Sequence, residues 1–314
     1  MRRLRKMTTC EVTMKDLAAA RWVLHPDNPV IHPSPPNWLM GDPTVLTPGE
    51  SPDGQWHLFC NTLRHVQHFI GEDGVAWRLI GNVCRGMRAF VYPEDGVFHL
   101  FYELHAATYH RSRICARTST DLETWSAERE ILAPLLAWEG RLPSYTSCPG
   151  LVKDGDTYRL YYSAGAIALF DTLVTEPRYI GVAESEHILG PYRRHAVPII
   201  GPDPDHRWRN RGAGSIKLYP KEGGGFWAFN NGIYRGPDGR HGSAIMLLES
   251  DDGYRFRQVH EQPIIQPTGE GWLRAFVYAF DLAVFEDETR LYFNARDGWS
   301  KGKEYIGFAR AQWD

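Results

Sequence analysis

The chain is expected to fold as an all-β, five-bladed β-propeller of four-stranded antiparallel blades, with the ring closed by an N-terminal strand. Three observations lead there. One strand–turn–strand segment recurs five times along 314 residues, and a second hairpin pattern follows the first four copies. The composition is rich in aromatics and turn formers: 13% Phe, Trp and Tyr, with 30 Gly and 21 Pro. Helical periodicity shows at most once, over Thr13–Ala20.

In chain order, residues 1–20 read as an uncleaved arm and 21–314 as the propeller. The opening "MRRLRKMTTCEVTMKDL" is basic, then polar, where a secretory leader needs an apolar run. Next comes "ARWVLHPDNPVIHP", which resembles the unit-closing segments "RRHAVPIIGP" and "RQVHEQPIIQP". The five repeats follow: "DPTVLTPGESPDGQWHLFCN", "RAFVYPEDGVFHLFYE", "CPGLVKDGDTYRLYYS", "SIKLYPKEGGGFWAFNN" and "DLAVFEDETRLYFN". Each pairs an apolar strand with an aromatic one across an Asp/Gly/Glu turn, which is a hairpin signal. Outer hairpins follow the first four, as in "ICARTSTDLETWSAER" and "IMLLESDDGYRFRQVH". The fifth copy ends in "YIGFARAQWD" and lacks an outer strand. The N-terminal segment supplies it and removes an exposed sheet edge.

A net charge of −3 offers no electrostatic footprint for nucleic acid or a membrane surface. No apolar run reaches the ~18 residues a spanning helix needs. Five cysteines without CxxC spacing argue against a disulfide framework or structural zinc. A cytoplasmic protein is expected, with no cofactor and no metal.

The first strand of each propeller blade lines the central channel, so equivalent positions form rings. Alignment on Val45, Val91, Leu151, Leu218 and Val284 sets Asp42, Arg88, Cys148, Ser215 and Asp281 at the first-strand entrances. Second strands return to the same face and end at Asn61, Glu103, Ser163, Asn231 and Asn294. Carboxylates facing a channel must be paired, hydrogen-bonded or functional. Loops at this face add Arg64, His105, His110, Arg209, Arg211, Arg296, Asp297, Trp38, Tyr145, Trp208, Trp272, Tyr278 and Trp299. Carboxylates beside aromatic platforms suit a sugar.

With these features the chain resembles the five-bladed propeller glycosidases, among them glycoside hydrolase families 43 and 32 and, more distantly, 117 and 130. The resemblance runs from about His25 to the end. It rests on the blade pattern, on "GDPTVL" (Gly41–Leu46) and on the "TSTDLETW" and "SDDG" outer hairpins. In families 43 and 32 the first-blade Asp, matching Asp42, is general base or nucleophile, a second Asp stands at the third-blade entrance and an acid Glu at the fourth. This chain has Cys148 in "TSCPGLV" and no Glu in "RGAGSIKL", so that carboxylate set does not carry over.

The expected catalytic set is therefore Asp42, Glu103 and Asp281. Asp42 reads as a base activating water, or as an Asx-type turn residue at the strand entry. Glu103 reads as an acid kept protonated by burial, or as the ion-pair partner of Arg88. Asp281 reads as a tuner of a neighbouring acid or a ligand of a sugar hydroxyl, or as the partner of Arg274 or Arg88. Expected substrate-binding residues are Arg88, His105, Tyr145, Arg211, Asn231, Tyr278 and Arg296. Cys148 reads as a small buried replacement for the usual Asp. The expected function is cleavage of a small glycoside, a furanoside or related sugar, by inverting hydrolysis in the central pocket. Phosphorolysis, with arginines holding phosphate, and a non-catalytic sugar-binding propeller are the alternatives.

Overall fold

The computed structural model describes residues 16–106, 111–140, 143–172 and 174–313; most of the expected N-terminal arm, the first three residues of the helical signal at Thr13–Ala20, and His110 lie outside them, and the described part of that signal holds one 3-10 turn, Leu17–Ala19. Strand β1 (Arg21–Leu24) comes first. Blade 1 is β2 (Gly41–Leu46), β3 (Trp56–Asn61), β4 (His65–Gly71) and β5 (Arg78–Arg85); blade 2 is β6 (Met87–Glu94), β7 (Val97–His105), β8 (Ser112–Ser119) and β9 (Arg129–Leu132). Blade 3 is β10 (Thr146–Asp154), β11 (Thr157–Ala164), β14 (Tyr179–Ser185) and β15 (Arg193–Arg194), interrupted by a hairpin of β12 (Ile167–Leu169) and β13 (Val174–Glu176). Blade 4 is β16 (Ile216–Pro220), β17 (Phe226–Arg235), β18 (His241–Ser250) and β19 (Arg257–Gln258). Blade 5 is β20 (Phe276–Phe285), β21 (Glu288–Arg296) and β22 (Glu304–Gln312), completed by β1. Among the described residues no helix is long and apolar enough to cross a membrane.

β1 pairs antiparallel with β22, Arg21 opposite Gln312 and Leu24 opposite Ala309. The first residues of the propeller thus finish its last blade and close the ring. Two-residue turns join the inner strands of blades 2, 3 and 5. Between β6 and β7 two residues, Asp95 and Gly96, turn the chain at φ of 50° and 78°, the doubly left-handed turn that matches strand twist. The core lies between blades rather than in one centre. Phe59 and Leu46 pack with Val91, Leu100 and Tyr102 across blades 1 and 2. Comparable clusters join blades 2 and 3, 3 and 4, 4 and 5, and 5 and 1, the last through Trp56, Tyr292 and Phe308. Burial of these aromatic faces fixes each blade against its neighbours.

Each first strand carries an irregularity at its entrance. Register shifts fall between Gly41 and Thr44, Met87 and Phe90, Ser147 and Gly150, and Val277 and Phe280. In blade 4 the pairs Gly212–Ile233 and Ile216–Asn230 bracket the same extra residue. Counting back from the first regular pair sets Asp42, Arg88, Cys148, Gly214 and Tyr278 as the equivalent ring. The ring expected from sequence is therefore displaced by one residue in blade 4, at Ser215, and by three in blade 5, at Asp281. Asp281 instead matches Val45, Val91, Leu151 and Lys217 in a deeper ring. The blade-5 strand stays apolar on both sides of Asp281, so an alignment by hydrophobicity had nothing to hold its register.

Candidate active site

Asp42, Arg88 and Cys148 sit at the bulges with φ of 53°, 51° and 46°. Left-handed backbone costs a residue with a Cβ about 1 kcal/mol or more. Side-chain amides at the second-strand ends support it. Asn294 Oδ1 accepts from the Asp42 amide at 3.1 Å, and Asn61 Oδ1 accepts from the Arg88 amide at 2.7 Å. Asn231 Oδ1 takes the Ser215 amide at 2.6 Å. Pro43 and Pro149 follow two of the bulged residues, where no ladder donor is required. The bulges turn the Asp42, Arg88 and Cys148 side chains into a cavity of about 640 Å³ on the channel axis, to which all five blades contribute. Asp42 is thus a strained entrance residue that also lines the cavity.

Glu103, fully buried, also lines the cavity. Arg88 Nη1 stands 2.5 Å from its Oε2, and Ser147 Oγ donates to the same oxygen at 2.8 Å. His105 Nε2 lies 3.2 Å from Oε1. Burial opposes ionisation of Glu103, but Arg88, then His105 and hydrogen bonds, outweigh it and hold the carboxyl below its ordinary range. A group held as carboxylate is a poor proton donor at neutral pH, so the geometry favours the ion-pair reading of Glu103 over the acid one.

Two carboxyls that sequence reasoning did not single out complete the set. Glu176, 9% exposed, ends β13, and Glu304, 6% exposed, opens β22; both line the cavity. Burial pushes Glu176 up to about 7; Arg88 and Arg296 oppose this and the Asp42 charge adds to it. Burial pushes Glu304 up to about 8, with Arg296 opposing and Asp42 and Glu176 adding. Asn294 Nδ2 donates to Glu304 Oε2 at 2.9 Å while its Oδ1 holds the Asp42 amide, so one amide ties Glu304 to the bulge. Burial also raises Asp42, Arg88 offsetting in part. The Cys148 thiol is pushed up to about 12 by burial and is not a thiolate at neutral pH.

Asp281 does not line the cavity. Its Oδ2 accepts from Thr44 Oγ1 at 2.7 Å and the Val45 amide at 2.9 Å; Oδ1 accepts from Tyr219 at 2.9 Å and pairs with Lys217 at 3.2 Å. Those partners tie blades 5, 1 and 4 beneath the site, so Asp281 is a latch of the fold and not a tuner of the cavity acids. Its partner is neither Arg274 nor Arg88, as the displaced register explains. Of the expected binding residues, Arg88, His105, Tyr145, Asn231 and Tyr278 line the cavity, together with Trp38 and Arg64. Arg211 does not; it is exposed, and its backbone amide bonds to Ile233. Arg296 is 2% exposed and lies behind Glu304, Nη1 at 4.0 Å from Oε1, with Trp38 stacked at 5.8 Å. It does not line the cavity, and its charge acts on both Glu304 and Glu176. Among the described residues no group of three or more His, Cys, Asp and Glu side chains is gathered as a metal ion would require.

No family model matches the chain, and no curated protein matches it in sequence. Solved structures do match. The catalytic domain of the Coprinopsis cinerea GH62 alpha-L-arabinofuranosidase aligns with a TM-score of 0.68 at 15% identity, covering 94% of this chain and 98% of that one. The fold is that of the five-bladed propeller glycosidases. An N-acetylgalactosamine deacetylase from F. plautii aligns with a TM-score of 0.65 at 13% identity, over 93% of this chain and 95% of that one. The beta-1,2-mannobiose phosphorylase of Listeria innocua gives 0.64 at 13% identity, over 92% and 96%. These three carry different chemistries on one propeller fold, so the residues of the cavity must decide among them.

Proposed function

We propose that the protein is a glycoside hydrolase that cleaves a small glycoside in the central cavity by direct attack of water. Asp42 is the base and Glu176 the acid. Water attacks the anomeric carbon; Asp42 takes a proton from it, and Glu176 gives its proton to the departing glycosidic oxygen, so charge balances without a covalent intermediate. Glu304, raised further than Glu176, keeps its own proton near neutral pH and spares Asp42 a second facing charge. Glu103 holds Arg88 in place for a sugar hydroxyl, and Trp38 and Tyr145 offer ring faces.

The observation that carries this reading is the division of charge among buried carboxyls in one cavity. Glu103 is held ionised by a guanidinium, while burial pushes Glu176 up to about 7 and, among the described residues, no basic side chain is hydrogen-bonded to it. Burial raises Asp42 as well, but Arg88, a hydrogen bond from Asn61 and Lys217 oppose the rise there, and these are the groups that favour Asp42 over Glu176 as the ionised partner. Fold likeness to glycoside hydrolases supports the same reaction class. Phosphorolysis has less support, because Arg88 is committed to Glu103 and Arg64 stands exposed at the rim. A screen of aryl furanosides and pyranosides, with and without phosphate, tests the proposal. Turnover without phosphate that Asp42→Asn abolishes supports it; turnover only with phosphate, or a fully active Asp42→Asn, overturns it.

A further inference from the structure

The β12–β13 hairpin is the one insertion that departs from the four-strand blade pattern among the described residues, and it carries Glu176. Its strands have three residues each, paired Ile167–Glu176, Ala168–Thr175 and Leu169–Val174. A two-stranded ribbon this short does not hold its place unaided. It leaves the sheet of blade 3 and rests on blades 4 and 5. Leu169 is buried among Ile233, Phe276 and Tyr278, with Ile167 and Trp299 packed alongside. At the turn, Phe170 is 85% exposed and anchors nothing. Asp171 does the opposite. Its Oδ2 accepts from the His241 amide and its Oδ1 meets His241 Nδ1, both at 2.8 Å, at the first residue of β18. The His241 carbonyl in turn accepts from Trp299 Nε1 of blade 5 at 2.9 Å. One carboxylate thus links blade 3's insertion to blade 4, and through His241 to blade 5.

We propose that Asp171 is a positioning residue that clamps the hairpin tip to β18 and thereby holds Glu176 at its station in the cavity wall. Three ladder rungs separate the turn from Glu176, about 10 Å at 3.3 Å per residue, so Asp171 acts on the reaction only through the hairpin. Val174, Thr175, Glu176 and Pro177 of the same segment wall the cavity, and a loosened tip moves all of them. The kinetic part of this inference rests on Glu176 being the proton donor; the structural part does not.

Two measurements on the full chain test it. Hydrogen exchange reads the clamp directly. Asp171→Ala is expected to speed exchange in 167–176 at least tenfold while leaving β10 and β11 unchanged; unchanged exchange in 167–176 overturns the proposal whatever the enzyme does. Kinetics on an aryl glycoside series reads the consequence. Asp171→Ala is expected to slow substrates with poor leaving groups 10- to 100-fold and activated ones less than about threefold, the pattern of a misplaced acid. Asp171→Asn, which keeps an acceptor for the His241 amide, should recover part of the loss. Adding Asp171→Ala to Glu176→Gln should cost nothing further. If Glu176→Gln discriminates between leaving groups but Asp171→Ala slows all of them alike, the positioning role fails and the acid assignment stands. If Glu176→Gln does not discriminate, the acid assignment fails and the exchange result alone decides the clamp.

Discussion

Glu176→Gln probes the site through stability as well as rate, because the burial that readies its proton also weakens the fold at high pH. Its carboxyl is pushed up to about 7, against about 4.3 for a glutamate in an unfolded chain. At 1.36 kcal/mol per unit that gap corresponds to about 3.7 kcal/mol. The folded state has the higher pKa and so binds the proton more tightly. The stability from this group is therefore full below about pH 4 and is lost as pH rises through about 7. Glutamine has no proton to lose. Between pH 4 and pH 8.5 the stability of Glu176→Gln relative to wild type should shift in the variant's favour by about 3 kcal/mol. Urea unfolding followed by tryptophan fluorescence at the two pH values measures it. A difference independent of pH, or one moving toward wild type as pH rises, would refute the claim that Glu176 is buried with a raised pKa. In wild-type kinetics the same group requires activity to fall above about pH 7, and Glu176→Gln should remove that limb.

Asp42→Asn should lower kcat by about a thousandfold or more while calorimetric binding of the sugar persists; full activity sinks its assignment as base. Glu103→Gln should slow activated and poor leaving groups equally and destabilise the fold, because the half-buried Arg88 is left without its counter-ion; a loss confined to poor leaving groups would return the acid role to Glu103. Asp281→Ala should destabilise by about 3–5 kcal/mol, the usual result of removing one partner from a buried pair, with kcat largely kept below the melting transition. A large kcat loss at unchanged Tm would put Asp281 back in the reaction.

The blade repeat was legible because each hairpin advertises itself locally. Strands such as β7 (Val97–His105) and β11 (Thr157–Ala164) combine aromatics and aliphatics next to turn residues that admit few backbone conformations. Ring closure was legible for a related reason: a fifth unit short of one strand leaves an edge, and "ARWVL" at the other end has the form to cover it. Register was not. A bulge inserts a residue without a compositional mark, and in blade 5 the run "FVYAFDLAVF" is apolar across the slip, so Tyr278 and Asp281 exchange places at no cost to the pattern.

The site was half legible for a matching reason. Asp42 and Glu103 stand at the ends of first and second strands, where the repeat points. Glu304 was within reach of the same logic, because the third strand starts on the face where the second ends, and the ring of third-strand starts contains this one carboxylate among His65, Ser112, Tyr179, His241 and Glu304. Glu176 was not, since it belongs to an insertion with no counterpart in the other blades. The departures from the familiar carboxylate set then have one physical account. Cys148 and Gly214 place no charge at the third and fourth entrances, and beside Asp42 and Glu103 the cavity acquires two further carboxyls from elsewhere in its wall, Glu176 from an inserted hairpin and Glu304 from the closing blade. An acid carried on an insertion depends on what pins the insertion down. If Glu176 is the acid, the fold must hold that hairpin from outside blade 3, and the hydrogen bonds from His241 to Asp171 are where it does so.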